Sequence, residues 1–132
     1  MRHWLRSPSF WLAMWLLWFC ALWFFSSMPH PPSPELPLTF ADKIYHFLYF
    51  TVGSIFLTGF IYQLNHRQAS WKWIAGSVLG LLAICGAIDE YHQSFVSGRS
   101  GNDLYDWLAN MVGAVAGFSI FYALRRRIKW NS

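Results

Sequence analysis

Three short strings in this chain hold side chains able to do chemistry. They are Asp42, Lys43 and His46; Asp89, Glu90, His92 and Gln93, with Arg99 soon after; and Asp103, Asp106 and Asn110. The spacing within each is helical. Asp42, His46 and Tyr49 stand at i, i+4 and i+7, Asp89 and Gln93 are four apart, and so are Asp106 and Asn110, which puts each set on one helix face. Carboxylates beside imidazoles suit general acid or base work or a bound cation, and Lys43 and Arg99 suit a phosphate or anionic headgroup. Asp42, Asp89, Glu90, Asp103 and Asp106 against Lys43 and Arg99 leave an excess of three negative charges. Protons on His46 and His92, protonated carboxylates, a divalent cation or a cationic ligand could each offset it. Asp, Glu and His would suit Mg, Mn or Zn, but no HExxH or comparable pattern is present, so the sequence assigns no metal ligand.

The elements that must position these strings are apolar. A chain of 132 residues has room for one domain, and 55% hydrophobic with 12% charged residues reads as a membrane protein. The mean hydropathy of +0.28 understates this, because such scales count the nine Trp and six Tyr as polar although they favour bilayer interfaces. Apolar runs at 9–28, 44–64, 71–88 and 107–124 are each long enough to cross a hydrocarbon core of ~30 Å. The prediction is an all-α integral membrane bundle of four transmembrane helices forming a single domain, 1–132. The first run opens like a signal peptide, yet it is too long for one and lacks a small-x-small site, so it reads as an uncleaved span. Its Trp11, Trp15 and Trp18 form a stripe for packing or lipid contact. Residues 29–41 carry five of the six prolines and read as a stiff, polyproline-like connector. Ser100 or Asn102 is expected to cap the fourth helix, with Gly98 and Gly101 allowing the turn around Arg99.

Charge gives the topology a direction. All six acidic residues lie in 29–43 and 89–106, whereas eight of the ten Lys and Arg lie in the other three polar stretches. The positive-inside rule then puts both termini in the cytoplasm and the acidic strings toward the periplasm or exterior of the inner (plasma) membrane. The basic residues flank spans instead of covering a soluble face, which argues against a nucleic-acid partner. Gly76 and Gly80, and Gly113 and Gly117, are GxxxG pairs expected to build the bundle, a homodimer being the alternative. Cys20 and Cys85 sit in apolar runs without CxxC or Cys/His spacing and read as buried, inert thiols.

The ordered strings Asp42-Lys43-Ile44-Tyr45-His46-Phe47, Asp89-Glu90-Tyr91-His92-Gln93-Ser94-Phe95 with Gly98-Arg99, and Asp103, Asp106, Asn110, Gly113 and Gly117 resemble the VanZ-like family of small membrane proteins over about 42–117. The resemblance implies a multi-span envelope protein with its acidic motifs outside and a link to susceptibility to the glycopeptide teicoplanin; it implies no catalytic residue and no cofactor. On the residues themselves, the leading reading is a binding protein for a lipid headgroup or cell-wall component. Lys43 and Arg99 would contact its anionic groups, Asp42, Asp89, Glu90, Asp103 and Asp106 its cationic or hydroxylated parts, and Gln93 and Asn110 would orient it, with His46 beside them. One alternative is a membrane-embedded enzyme acting on a lipid-linked phosphate or ester, with His46 or a carboxylate of raised pKa as general acid or base. Another is a ring of salt bridges locking helix ends together without a ligand. A proton or ion pathway ranks last, because the inner halves of the spans are largely apolar.

Overall fold

The computed structural model describes residues 3–30, 38–65 and 68–125. After a short 3-10 turn at His3–Arg6, these fold into α1 (Pro8–Ser26), α2 (Leu38–Leu64), α3 (Trp71–Gln93) and α4 (Leu104–Leu124). All four helices are long and apolar enough to cross a membrane. Arg2, Arg67, Arg126, Arg127 and Lys129, which served to orient the chain, lie outside the described residues, as do Glu35 and most of the proline-rich connector.

Helix boundaries differ from the apolar runs at the polar end. Leu38 to Ala41, expected to belong to the connector, are helical, because Pro37 is the last proline and nothing after it breaks a helix. α3 runs on past Ile88 to Gln93, and α4 starts at Leu104 instead of Trp107. Each chemical string therefore starts on or adjoins a helix end, with Arg99 in the turn between α3 and α4.

α2 and α4 both run away from this end, while α1 and α3 run into it. α2 packs most extensively on α4, α1 covers another side of α2, and α3 lies chiefly against α4. At the far end the ring of Trp11 meets that of Phe121 at 5.6 Å, and Arg125 sits over the Trp71 ring at 4.5 Å. The described ends of the chain thus share the end opposite the acidic strings.

Lipid tails are as apolar as Leu, so membrane helices associate by close packing and internal hydrogen bonds more than by the hydrophobic effect. Glycine supplies the packing. A Cβ at Gly113 would collide with the Phe47 carbonyl oxygen, and one at Gly117 with that of Thr51, so α4 lies backbone to backbone on α2. At the same seam the buried Ser54 hydroxyl donates to the Ala114 carbonyl at 2.6 Å. α1 docks differently. The rings of Trp18 and Trp11 lie directly on Gly53 and Gly59 of α2, and their indole N–H groups donate to the carbonyls of Tyr49 (2.8 Å) and Leu5 (2.9 Å). The tryptophan stripe is therefore packing, with Trp11 and Trp18 buried.

Two expectations are corrected. Gly76 and Gly80 do not build the bundle: a Cβ at either would meet nothing within 4 Å. The inward stripe of α3 is Ile74, Val78, Leu82, Gly86, Asp89 and Gln93, which turns this glycine pair outward. Cys20 is not buried either; it lies on the outer surface of α1, and Cys85 is only partly covered.

These glycines give a contrast to measure. Gly113→Ala should cost about 1–3 kcal/mol or more through overpacking against a backbone that cannot yield, and Gly117→Ala should behave alike. Gly76→Ala and Gly80→Ala should leave thermal unfolding in detergent, followed by circular dichroism, unchanged or slightly raised. Equal losses at all four positions would contradict the seam.

Candidate functional site

The parallel register of α2 and α4 sets the first half of the site. Lys43 Nζ donates to Asp106 Oδ1 at 2.7 Å, and His46 Nδ1 lies 3.0 Å from Asn110 Oδ1, pairs separated by 63 and 64 residues. This near-constant offset is the same register that seats Gly113 and Gly117 on α2. A carbonyl oxygen only accepts, so Nδ1 carries the ring proton and donates it to Asn110. That leaves His46 Nε2 facing inward. Around it stand Glu90 Oε1 at 3.8 Å and Asp42 Oδ1 and Asp106 Oδ2 at 3.9 Å.

α3 supplies the second half. Asp89, Glu90 and Gln93 are buried on its inward stripe, exposed to 2%, 4% and 2%. Gln93 Nε2 donates to Asp89 Oδ2 at 2.9 Å, and Arg99 Nη2 donates to Gln93 Oε1 at 2.6 Å, a relay that ties the turn to the helix. Glu90 Oε2 accepts the backbone N–H of Asp103 at 3.0 Å, and the Glu90 carbonyl accepts that of Asn102 at 3.1 Å. The connecting turn is thus bound back onto α3. It needs Gly98, with φ of 83°, and Gly101, whose Cβ would strike the Ser94 backbone; Asn102 also adopts a positive φ of 61°.

The cap of α4 is a correction. Asp103, not Ser100 or Asn102, is the N-cap residue, its Oδ1 accepting the Tyr105 N–H at 2.8 Å. Its other oxygen lies 3.6 Å from Lys43 Nζ. Hydrogen bonding to the Tyr105 N–H, reinforced by the Lys43 charge, holds the Asp103 carboxyl below the usual carboxylate range. Asp103 therefore sits on the rim as a structural group, while Asp106 one turn on is 1% exposed and belongs to the centre.

The sequence-predicted residues do not all meet. Asp42, His46, Asp89, Glu90, Asp106 and Asn110 converge, with Gln93 behind Asp89. Lys43 is committed to Asp106 and Asp103. Arg99 makes no salt bridge among the described residues; its guanidinium donates to the neutral Gln93 amide. His92 stands apart, stacked on Trp23 at 4.0 Å between ring centroids with Nε2 2.9 Å from the Ser27 hydroxyl, so it joins α3 to α1.

Beside the cluster lies a cavity of about 260 Å³. Leu22, Phe25, Tyr45, Tyr49 and Phe50 form its apolar wall, and Asp42, His46, Asp89, Gln93 and Arg99 its polar end. Ser26, buried at the end of α1, also lines it and lies next to Asp89, outside hydrogen-bonding geometry. Sequence reasoning placed Tyr49 on the site's face but missed Ser26, the rest of the aromatic wall and Gly86, whose missing side chain makes room for the Asn110 amide, 3.2 Å from where a Cβ would be. Only Gly86 left a signal, a glycine one turn before Asp89 and Glu90.

The family model described as VanZ/LLP1 matches residues 10–125. The chain belongs to this family. The match reaches beyond the 42–117 of the motif resemblance and takes in α1, which the motifs had not reached and which here supplies Leu22, Phe25 and Ser26 to the cavity. No curated protein and no solved structure gives a match. Family membership thus comes with four apolar helices of membrane-spanning length, and the site has to be read from its own geometry.

The Asp103 cap can be tested by itself. Asp103→Ala should cost about 1 kcal/mol at neutral pH, as N-cap removals do, and Asp103→Asn should retain most of the stability. A carboxyl with a depressed folded-state pKa stabilises the fold above its unfolded pKa of about 4 and loses that contribution as pH falls through the folded value. The gap between wild type and Asp103→Ala in thermal melts should therefore narrow below about pH 4. A gap independent of pH would exclude an ionised cap.

Proposed function

We propose that this VanZ/LLP1 protein binds an amphiphile with an anionic head, a lipid headgroup or a lipid-linked cell-wall component, at the polar end of its helix bundle. The observation that carries the reading is the cavity. One side is aliphatic and aromatic, and at its polar end stands Arg99, whose guanidinium is oriented by Gln93 and is not neutralised by a carboxylate salt bridge among the described residues. A planar, always charged donor fork at the edge of an apolar wall suits a phosphate followed by hydrocarbon. Lys43, by contrast, is consumed by Asp106 and Asp103, so Arg99 is the anion contact and Lys43 a positioning group. The distribution of Lys and Arg along the sequence supports an outward orientation of this end, and with it a place at the outer leaflet where the protein could affect glycopeptide susceptibility.

Arg99→Gln should lower retention of anionic lipid, read by native mass spectrometry of the detergent-purified protein, by about 10- to 100-fold, the worth of a charge-assisted hydrogen bond. Zwitterionic lipid should be unaffected. Unchanged anionic-lipid retention in a folded Arg99→Gln variant would sink the assignment, and in cells the same variant should alter teicoplanin susceptibility.

A second reading has an observation of its own. His46 is oriented by Asn110, faces carboxylates through Nε2 and opens on the same cavity, the arrangement of a positioned acid or base. If the bound amphiphile is also hydrolysed, purified protein given a labelled lipid-linked phosphate, with and without divalent metal, should release product, and His46→Ala should abolish release. Persistent absence of turnover leaves binding alone.

A further inference from the structure

The carboxylates of the cluster share a pattern that the headgroup reading does not use. Each buried one has one oxygen held by the protein and the other turned inward. Asp106 gives Oδ1 to Lys43, Asp89 gives Oδ2 to Gln93, and Glu90 gives Oε2 to the Asp103 N–H. The second oxygens of Asp89 and Glu90, Oδ1 and Oε1, are buried and have no hydrogen-bond partner among the described residues. An ionised oxygen in that position is costly, and a side chain 96% or more covered cannot turn to water to relieve it.

We propose that His46, Asp89 and Glu90 bind a divalent metal ion, with Asp42 and Asp106 beside the same imidazole nitrogen. Ligand atoms of His46, Asp89 and Glu90 all lie within 4.8 Å of one another, as do those of Asp42, His46 and Asp106. Distance separates this from a salt-bridge hub. The three carboxylate oxygens nearest Nε2 stand at 3.8–3.9 Å, too far to accept a hydrogen bond from a proton there. Ligands ~2.1 Å from one ion are spaced about 3.0–4.2 Å apart in an octahedral shell, and the 3.8–3.9 Å from Nε2 to Glu90, Asp42 and Asp106 falls inside that range, with Asp89 within 4.8 Å. Charge agrees as well. With Asp103 counted, the five carboxylates exceed Lys43 and Arg99 by three charges, and a divalent ion offsets two of them.

The surroundings are those of a metal site one shell out. His46 donates its other ring N–H to Asn110, which fixes Nε2 as the ligand atom, and Gln93 and the Asp103 N–H orient the carboxylates. One imidazole with two or more carboxylates favours Mn²⁺, Mg²⁺ or Zn²⁺ over soft-metal ions. His46, Asp89 and Asp42 also line the cavity, so the open coordination positions face the space where an anionic head would sit.

The test uses the full chain, stripped with chelator and titrated with Mn²⁺ or Zn²⁺ in detergent with no lipid added, so its outcome is separate from that for anionic-lipid retention. Saturable binding of one ion per chain and a rise in the wild-type melting temperature are expected. Asp89→Asn and Glu90→Gln should each weaken binding at least ~10-fold, and Asn110→Ala, which removes only the orienting group, by about 10- to 100-fold. Without metal, Glu90→Gln should melt no lower than wild type, since it removes a buried charge that has one oxygen unpartnered and can keep the bond from the Asp103 N–H. Wild-type protein with neither bound ion nor metal-dependent melting would overturn the proposal, as would Glu90→Gln protein that binds as tightly as wild type.

Discussion

The contact on which the rest depends is the backbone-to-backbone approach of α4 to α2 at Gly113 and Gly117. In a bilayer the gain from hiding apolar surface is small, so helices need a feature that permits only one register. A glycine seated over a facing carbonyl is such a feature, since a shift of one residue puts a side chain where no space exists. Asp106, Asn110, Gly113 and Gly117 are spaced four, three and four apart, so one stripe of α4 carries both the packing surface and two of the site's polar groups. Seating the glycines therefore also places Asp106 against Lys43 and Asn110 against His46. Packing and chemistry are specified by the same face.

Given that seam, the remaining helices divide the work. α1 is locked to α2 by tryptophans lying on Gly53 and Gly59 and by the Trp18 indole N–H bond to the Tyr49 carbonyl, contacts that are directional and hold in an apolar medium. α3 brings the acids. Its inward stripe is apolar from Ile74 to Leu82 and becomes polar from Asp89, at the level where His46 and Asp106 meet it. The turn from Ser94 to Asp103 is tied back onto α3 through Glu90 and Gln93, so the groups that hold the turn are also members of the cluster.

Much of this was legible in the sequence because both signals involved are local. Apolar runs interrupted by polar strings give the number of helices, and i, i+4 spacing places Asp42 with His46 and Asp106 with Asn110 whatever else happens. What was not legible depends on rotation and on pairing between helices. GxxxG reads the same on α3 and α4, yet only the α4 pair faces a neighbour, because the rotation of α3 is set by its Ile74-to-Gln93 stripe. Asp103 has the spacing of a site residue and is a cap, since its backbone is the last extended position before the helix. Lys43 and Arg99 look equivalent on paper. Pairing distinguishes them, with Lys43 ending against two carboxylates and Arg99 against an amide.

That difference bears on how the two proposed occupants would interact. An anionic head held by Arg99 and a cation held by His46, Asp89 and Glu90 would share one small chamber, because His46 and Asp89 line the cavity and belong to the cluster. Without the cation, the head would approach buried carboxylates that repel it; with the cation, the same carboxylates are neutralised and an open coordination position attracts it. Binding of each would then favour binding of the other by the same factor, as linkage requires. The same coupling would connect binding and hydrolysis: a cation held there could meet charge developing on a leaving oxygen, and His46, its Nε2 then a ligand and its Nδ1 bound to Asn110, would act by holding the ion and not as acid or base. Cleavage would also need water at the face of the phosphate opposite the leaving group, and Phe25, Tyr45 and Tyr49 line the chamber that water would have to enter.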